Sequence, residues 1–139
     1  MDALSDNLKK HNLKNTPRRN AIIEIFKKKN LYLSPEEVWI TLKKKFKKCG
    51  LPGVYRNLES MSNCGILFKI VSFSDDKRHY GLCNNHINKH HHHIICIKCK
   101  KISSIEKCGF NNRIKINGYE IISHFVQLNG ICPDCQNKN

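Results

Sequence analysis

The chain has no apolar run near the roughly 18 residues that a membrane helix needs, so no membrane partner is expected. Met1 to Lys10 are polar and charged, with neither an apolar segment nor a small-residue cleavage pattern. No secretory signal is therefore expected, and the eight cysteines are not read as the disulfides of an exported protein. A reducing cytoplasm and a metal role for the thiols are the corresponding expectations. Acids are scarce, 11 against 25 Lys and Arg. His-x-Glu, His-Glu-x-x-His and a glycine-rich phosphate loop are all missing, and 139 residues are too few for a barrel enzyme. Neither an enzyme nor a small-molecule substrate is expected.

What the chain does have is positive charge. Its net charge is +14 and its sequence pI about 9.6, so it attracts polyanions, nucleic acid first among them. Lysine-rich composition alone also fits an ordinary solvated face. Both halves are basic, +9 over 1–83 and +5 over 84–139, but five of eight cysteines and six of eight histidines lie in the second. That asymmetry predicts a division into 1–83, a patternless linker at 84–89, and a metal lobe over 90–139.

The first part carries a succession of helix signals. Thr16-Pro17 supplies an N-cap and a first-turn proline for a helix to about Lys29, with Ala21, Ile22, Ile25 and Phe26 at helical spacing. Ser34-Pro35-Glu36-Glu37 predicts a capping box, followed by Val38, Trp39, Leu42 and Phe46 on one face and five lysines by Lys48 toward the helix end. Gly50 to Gly53 breaks the chain before a third helix with Val54, Leu58 and Met61, closed by Gly65. Two strands, 66–73 and 78–83, flank a turn at 74–77. This order is that of a winged helix-turn-helix. Tyr55, Arg56 and Asn57 stand in the first turns of its last helix, where a recognition helix meets base edges. Tyr55 taken alone reads equally well as a half-buried core ring.

Cys96-x-x-Cys99 and Cys132-x-x-Cys135 are the strongest chemical signal. Two thiolates from each knuckle close a tetrahedral site with no position left for substrate, the pattern of structural Zn2+. His90 to His93 run into Ile94-Ile95-Cys96. On a strand, His90 and His92 face one side and His91 and His93 the other, so the run can serve two sites. Further candidates are His79, Cys83, His86, Glu106, Cys108 and His124. From the end of the wing hairpin, a Cys83 thiolate could reach the histidine strand. His124 falls in a second strand expected over 119–128. Cys49 and Cys64 read as structural.

These motifs together resemble the ferric uptake regulator family of bacterial metal-sensing repressors. The likeness runs through Thr16-Pro17-Arg18-Arg19, Val54-Tyr55-Arg56-Asn57-Leu58, the 90–96 run and both knuckles. It implies an α+β chain with an N-terminal winged helix, a small α/β dimerisation domain with a four-cysteine structural zinc site, and a homodimer on a palindromic double-stranded DNA operator. Tyr55 and Arg56 then match DNA-contacting residues, with Arg19 and Asn57 beside them. Cys96, Cys99, Cys132 and Cys135 match structural zinc ligands. His90, His92 and His124 match a second site whose remaining ligand is usually acidic; Glu106 is assigned there, with Cys108 as the other candidate.

Departures from the family pattern bear on which metal is sensed. Leu31-Tyr32-Leu33 lacks the histidine, and the stretch 81–85 the carboxylate, that iron and peroxide sensors use. Cys83 is similar to a cysteine of zinc-sensing members, so the regulatory site is assigned to Cys83, His91 and His93, with Zn2+ favoured and Fe2+ the alternative. Gly53 replaces the usual threonine before Val-Tyr-Arg, which removes a cap or phosphate contact. The function expected is a zinc-responsive repressor of metal-homeostasis genes. An iron-responsive or peroxide-sensing repressor is the alternative, and a zinc-stabilised nuclease a remote one.

Overall fold

Thr16 turns a polar, extended strand of chain into a helix by accepting a hydrogen bond from the Arg19 amide at 3.2 Å. Helix α1 (Pro17–Lys29) starts there and ends at Asn30 in the left-handed region. A computed structural model of the chain describes residues 13–71, 77–83, 91–105, 108 and 114–138. The chain divides into two compact units, Met1–Asn84 and Asn85–Asn139.

In the first unit the capping box forms as the sequence predicts. Ser34 Oγ accepts from the Glu37 amide at 3.2 Å, and Glu37 Oε1 accepts from the Ser34 amide at 3.1 Å. Helix α2 (Pro35–Leu42) nevertheless stops before the lysine run, short of the expected end near Lys48. Continued, it would stack Lys43 on Lys47 and Lys44 on Lys48, like charges one turn apart. Instead the chain tightens, the Lys45 amide donating to the Leu42 carbonyl at 3.0 Å, and Phe46 packs back against the core.

Helix α3 (Leu51–Asn63) starts three residues earlier than expected. Leu51-Pro52-Gly53 is its first turn, where proline's missing N–H has no intrahelical acceptor to lose. Its N-cap is Gly50, with no side-chain bond, so the cap contact expected to be lost at Gly53 is not at that position. Beyond Asn63, Gly65 (φ 89°) turns the chain into β1 (Leu67–Ile70), which pairs antiparallel with β2 (His79–Leu82). Residues 74–76 of the expected turn lie outside the described residues. A bridge absent from the sequence reading joins Leu33 to Tyr80, each amide donating to the other's carbonyl at 2.9 Å. Ile22, Phe26, Val38, Leu58, Met61 and Tyr80, all almost fully buried, form the core beneath these elements. Three helices and a hairpin make this unit a winged helix-turn-helix.

The second unit is built on a three-stranded sheet. Its central strand, β3 (His92–Cys96), pairs antiparallel with β4 (Ile102–Ile105) and parallel with β7 (Gln127–Gly130). Between β4 and β7 in the chain, β5 (Lys115–Ile116) pairs with β6 (Tyr119–Glu120) across Asn117-Gly118, both at positive φ, as a two-residue hairpin turn requires. The expected 119–128 strand is therefore split. β6 is spent on that hairpin, 121–126 are irregular, and pairing resumes at β7. A short helix, α4 (Pro133–Gln136), closes the unit. The mixture of helical first unit and sheet-based second makes the chain α+β. Among the described residues no helix is long and apolar enough to cross a membrane.

Candidate metal centres and nucleic-acid interface

Strands β3 and β7 run parallel with Cys96 opposite Gly130, and the Ile97 amide donates to the Gly130 carbonyl at 2.9 Å. Both chains thus leave the sheet at the same end, each carrying one Cys-x-x-Cys knuckle. The four sulfurs lie within 4.8 Å of one another, with Cys96 Sγ 3.9 Å from Cys135 Sγ and Cys99 Sγ 3.6 Å from Cys132 Sγ. A tetrahedral Zn–S length of about 2.3 Å gives S···S edges of about 3.8 Å, so the four thiols fit such an ion. Amides of Cys99 and Cys132 donate to Cys96 Sγ at 3.5 and 3.3 Å, and these N–H groups hold the Cys96 thiol well below its usual range. The Cys132 side chain and burial push Cys135 the other way. Without a shared cation the four sulfurs cannot all carry charge at this spacing. Lys101 and Asp134 clip the knuckles together outside, Nζ to Oδ2 2.8 Å.

At the opposite end of the sheet, the histidine run divides between two faces. His91 and His93 stack edge to face with ring centroids 4.7 Å apart, while His92 is buried and meets His124, centroids 5.0 Å apart. Burial, then the neighbouring His91 and His92, hold His93 down at about 4. It is therefore neutral at pH 7, with a ring lone pair to offer. Cys108 joins His92 and His124: its Sγ lies 3.3 Å from His92 Nε2 and 3.0 Å from His124 Nε2. His86, His90 and Glu106 lie outside the described residues. His79 contacts Tyr32 edge to face, and its Nδ1 lies 3.1 Å from the Lys77 carbonyl; it joins no described ligand cluster. Cys83, buried just past β2 in the first unit, donates its amide to the Ile66 carbonyl at 3.1 Å.

In the first unit α3 presents Arg56 to solvent and leaves Tyr55 and Asn57 half-buried. Tyr55 donates its hydroxyl to Glu36 Oε1 at 2.8 Å, which holds the Glu36 carboxyl below its usual range and raises the Tyr55 phenol. Arg19 Nε donates to Asn57 Oδ1 at 3.1 Å and Arg19 Nη1 to the Lys14 carbonyl at 2.9 Å. Tyr55, Asn57 and Arg19 therefore sit where α3 meets α2 and α1, with Arg56 exposed beside them on α3. The sequence reading missed two acids of this unit. In the sequence Glu36 stands only within the Ser34-Pro35-Glu36-Glu37 capping motif. Glu59 accepts from Tyr80 at 2.5 Å, Arg78 at 2.7 Å and Lys69 at 2.8 Å, and only its position one turn past Tyr55 hinted at a role.

A family model described as the ferric uptake regulator family matches residues 10–129. The chain belongs to the ferric uptake regulator family. It is thus a member of a family of regulators and not of enzymes. The ferric uptake regulation protein of Synechococcus elongatus is 33% identical over 130 residues, 87% of this chain and 84% of that one. The solved Helicobacter pylori ferric uptake regulator, a protein with three functional metal-binding sites, is 27% identical at a TM-score of 0.63, covering 97% and 95% of the two chains. A zinc uptake regulator complexed with zinc and DNA superposes at a TM-score of 0.70, covering 94% and 88%. At 18% identity that last likeness concerns the fold alone.

Proposed function

We propose that this family member is a zinc-sensing, DNA-binding transcriptional repressor of metal-homeostasis genes, acting in the cytoplasm as a homodimer on a double-stranded operator. One observation carries the choice of zinc. In the second unit the described ligand clusters are sulfur and imidazole, Cys96/Cys99/Cys132/Cys135 and His92/Cys108/His124, and neither contains a carboxylate. Thiolate and imidazole suit zinc, whereas ferrous iron and manganese sensors lean on oxygen ligands. In this reading the four cysteines hold structural Zn2+. Cys83, His91 and His93 form the regulatory site, and His90, His92 and His124 belong to the second, whose remaining ligand the sequence leaves between Glu106 and Cys108.

Arg56 and Tyr55 read base edges from α3, while Arg19, Asn57 and the lysines beyond α2 meet phosphates. Sharing an ion between Cys83 and the two histidines fixes the DNA-binding lobes of a dimer at the spacing of successive major grooves. A freely rotating chain loses affinity by the population of wrong geometries. Ile122, Phe125, Tyr119 and Leu128 are exposed on the second unit, Ile122 at 92%, and a second copy is the partner that such an apolar surface fits.

The test is to count zinc in protein purified without added metal, then titrate zinc, ferrous iron, manganese and nickel against a family-type operator, with Cys83→Ser in parallel. About one retained zinc per chain, with zinc switching on binding that Cys83→Ser loses, supports the proposal. Switching by iron or manganese with Cys83 dispensable refutes it and favours the second reading, an iron-responsive repressor, which the ferric uptake regulation relatives support. A sixteen-dalton gain on a 90–93 peptide after iron and peroxide would instead indicate a peroxide sensor, and metal-dependent cleavage of plasmid DNA a nuclease.

A further inference from the structure

His92 begins β3, Cys108 follows β4 by three residues, and His124 precedes β7 by three. The register that pairs His92 with Ile105 and His93 with Gln127 brings these three segments to one end of the sheet. There the ligand atoms form a triangle with edges of 3.3 Å (His92 Nε2 to Cys108 Sγ), 3.0 Å (Cys108 Sγ to His124 Nε2) and 3.2 Å (His124 Nε2 to His92 Nε2). One-to-one hydrogen bonds cannot serve all three edges, because a ring nitrogen of a neutral imidazole is either a donor or an acceptor and never both. A single cation above the triangle meets all three lone pairs at once. Tetrahedral zinc with bonds of about 2.0–2.1 Å to nitrogen and 2.3 Å to sulfur spaces N···N at about 3.4 Å and N···S at about 3.6 Å. The observed edges are shorter than those values by about 0.2–0.6 Å, a difference that side-chain rotations can take up.

We propose that Cys108 completes the site of His92 and His124, its thiolate taking the place assigned on sequence to Glu106, and makes that site selective for zinc-class ions over manganese or ferrous iron. Two imidazoles and a thiolate are borderline-to-soft donors, and harder ions forgo little by staying hydrated. Among the described residues no fourth His, Cys, Asp or Glu joins the three, and His90, assigned to this site by the resemblance, lies outside them. The inference rests on the reading of the second unit as metal-binding, but not on Cys83 being a sensing ligand.

Cobalt(II) titration of the full chain tests it, because a cobalt–thiolate bond gives a near-ultraviolet charge-transfer band that cobalt–imidazole and cobalt–carboxylate bonds do not. The parent is Cys83→Ser with zinc retained on the four knuckle cysteines, which removes the sensing-site thiol as a source of the band. Expected is one further cobalt per chain with that band. It disappears in Cys83→Ser/Cys108→Ser, with affinity at least about tenfold weaker, and persists in Cys83→Ser/Glu106→Gln. Cys83→Ser/Cys108→Asp should bind cobalt without the band and gain manganese relative to zinc. Cobalt bound by the parent without charge transfer, or a band indifferent to Cys108→Ser, overturns the proposal. So does failure of the parent to bind any cobalt beyond the knuckles. The parent spectrum stands even where a Cys108 variant misfolds. A band that is intact while zinc still switches Cys83→Ser on the operator would refute the sensing-site reading and leave this one standing.

Discussion

Replacing Glu59 tests whether one carboxylate ties the recognition helix to the wing. Tyr80 is fully buried, its phenol pushed up to about 12 chiefly by that burial, so it stays protonated and must donate its hydroxyl proton somewhere. Glu59 is the acceptor, at 2.5 Å. Glu59→Ala strands that donor in the core, which costs about 2 kcal/mol. Glu59→Gln keeps a carbonyl acceptor for Tyr80 and should cost about 1 kcal/mol or less, since a charge-assisted bond becomes a neutral one. The ion pairs to Lys69 and Arg78 have half-exposed cations, so they add little and fade with salt.

Trp39 is the only tryptophan and lies in the first unit, so its fluorescence during urea unfolding reports this unit alone. With a slope of about 1–2 kcal/mol per molar for a unit of this size, Glu59→Ala should lower the midpoint by about 1–2 M. On a Tyr80→Phe background most of that loss should vanish. Lys69, Tyr80 and Arg78 lower the Glu59 pKa below 4.5. The advantage of wild type over Glu59→Gln is therefore full above the unfolded value near 4.5, and closes as pH falls through the lowered folded value. Equal costs for Glu59→Ala and Glu59→Gln, or no coupling to Tyr80→Phe, would refute the reasoning.

Three further outcomes follow from the same geometry. Gly65→Ala meets nothing within 4 Å but holds φ at 89°, so it should cost about 1–2 kcal/mol through backbone strain alone, with Gly65→Asn costing less, both read by Trp39 fluorescence. Cys132→Ser should remove about one tightly held zinc per chain by elemental analysis and abolish cooperative unfolding of the second unit by circular dichroism, while the Trp39 transition stays put. Arg56→Ala, exposed on α3, should weaken operator binding by about 1–3 kcal/mol in a fluorescence anisotropy titration, with loss of preference at one base if it reads a base edge, or a uniform loss with a shallower salt dependence if it meets phosphate.

The winged helix was legible because its signals are local. Thr16 caps an amide three residues on, and Ser34 and Glu37 exchange bonds within one turn, so neighbouring residues suffice to define a helix start. The Cys-x-x-Cys knuckles announced a metal site for the same reason, as did the alternation of histidines along a strand. Helix ends were less legible. α2 stops at Leu42, where the chain tightens and Phe46 packs back against the core, and α3 absorbs Pro52 and Gly53, read on sequence as a break.

Tertiary structure decided which distant pieces meet. Parallel pairing of β3 with β7 brings together knuckles 33 residues apart, and the antiparallel return of β4 sets Cys108 beside His92 and His124. The Leu33–Tyr80 bridge and the Glu59–Tyr80 bond likewise join residues 47 and 21 positions apart. Residue types and local spacing fixed what chemistry this chain can offer, since donor atoms and caps are properties of a residue and its near neighbours. The partners on which that chemistry acts depend on strand register. Register is set by backbone hydrogen bonds and core burial across the whole unit, and no short stretch of sequence contains it.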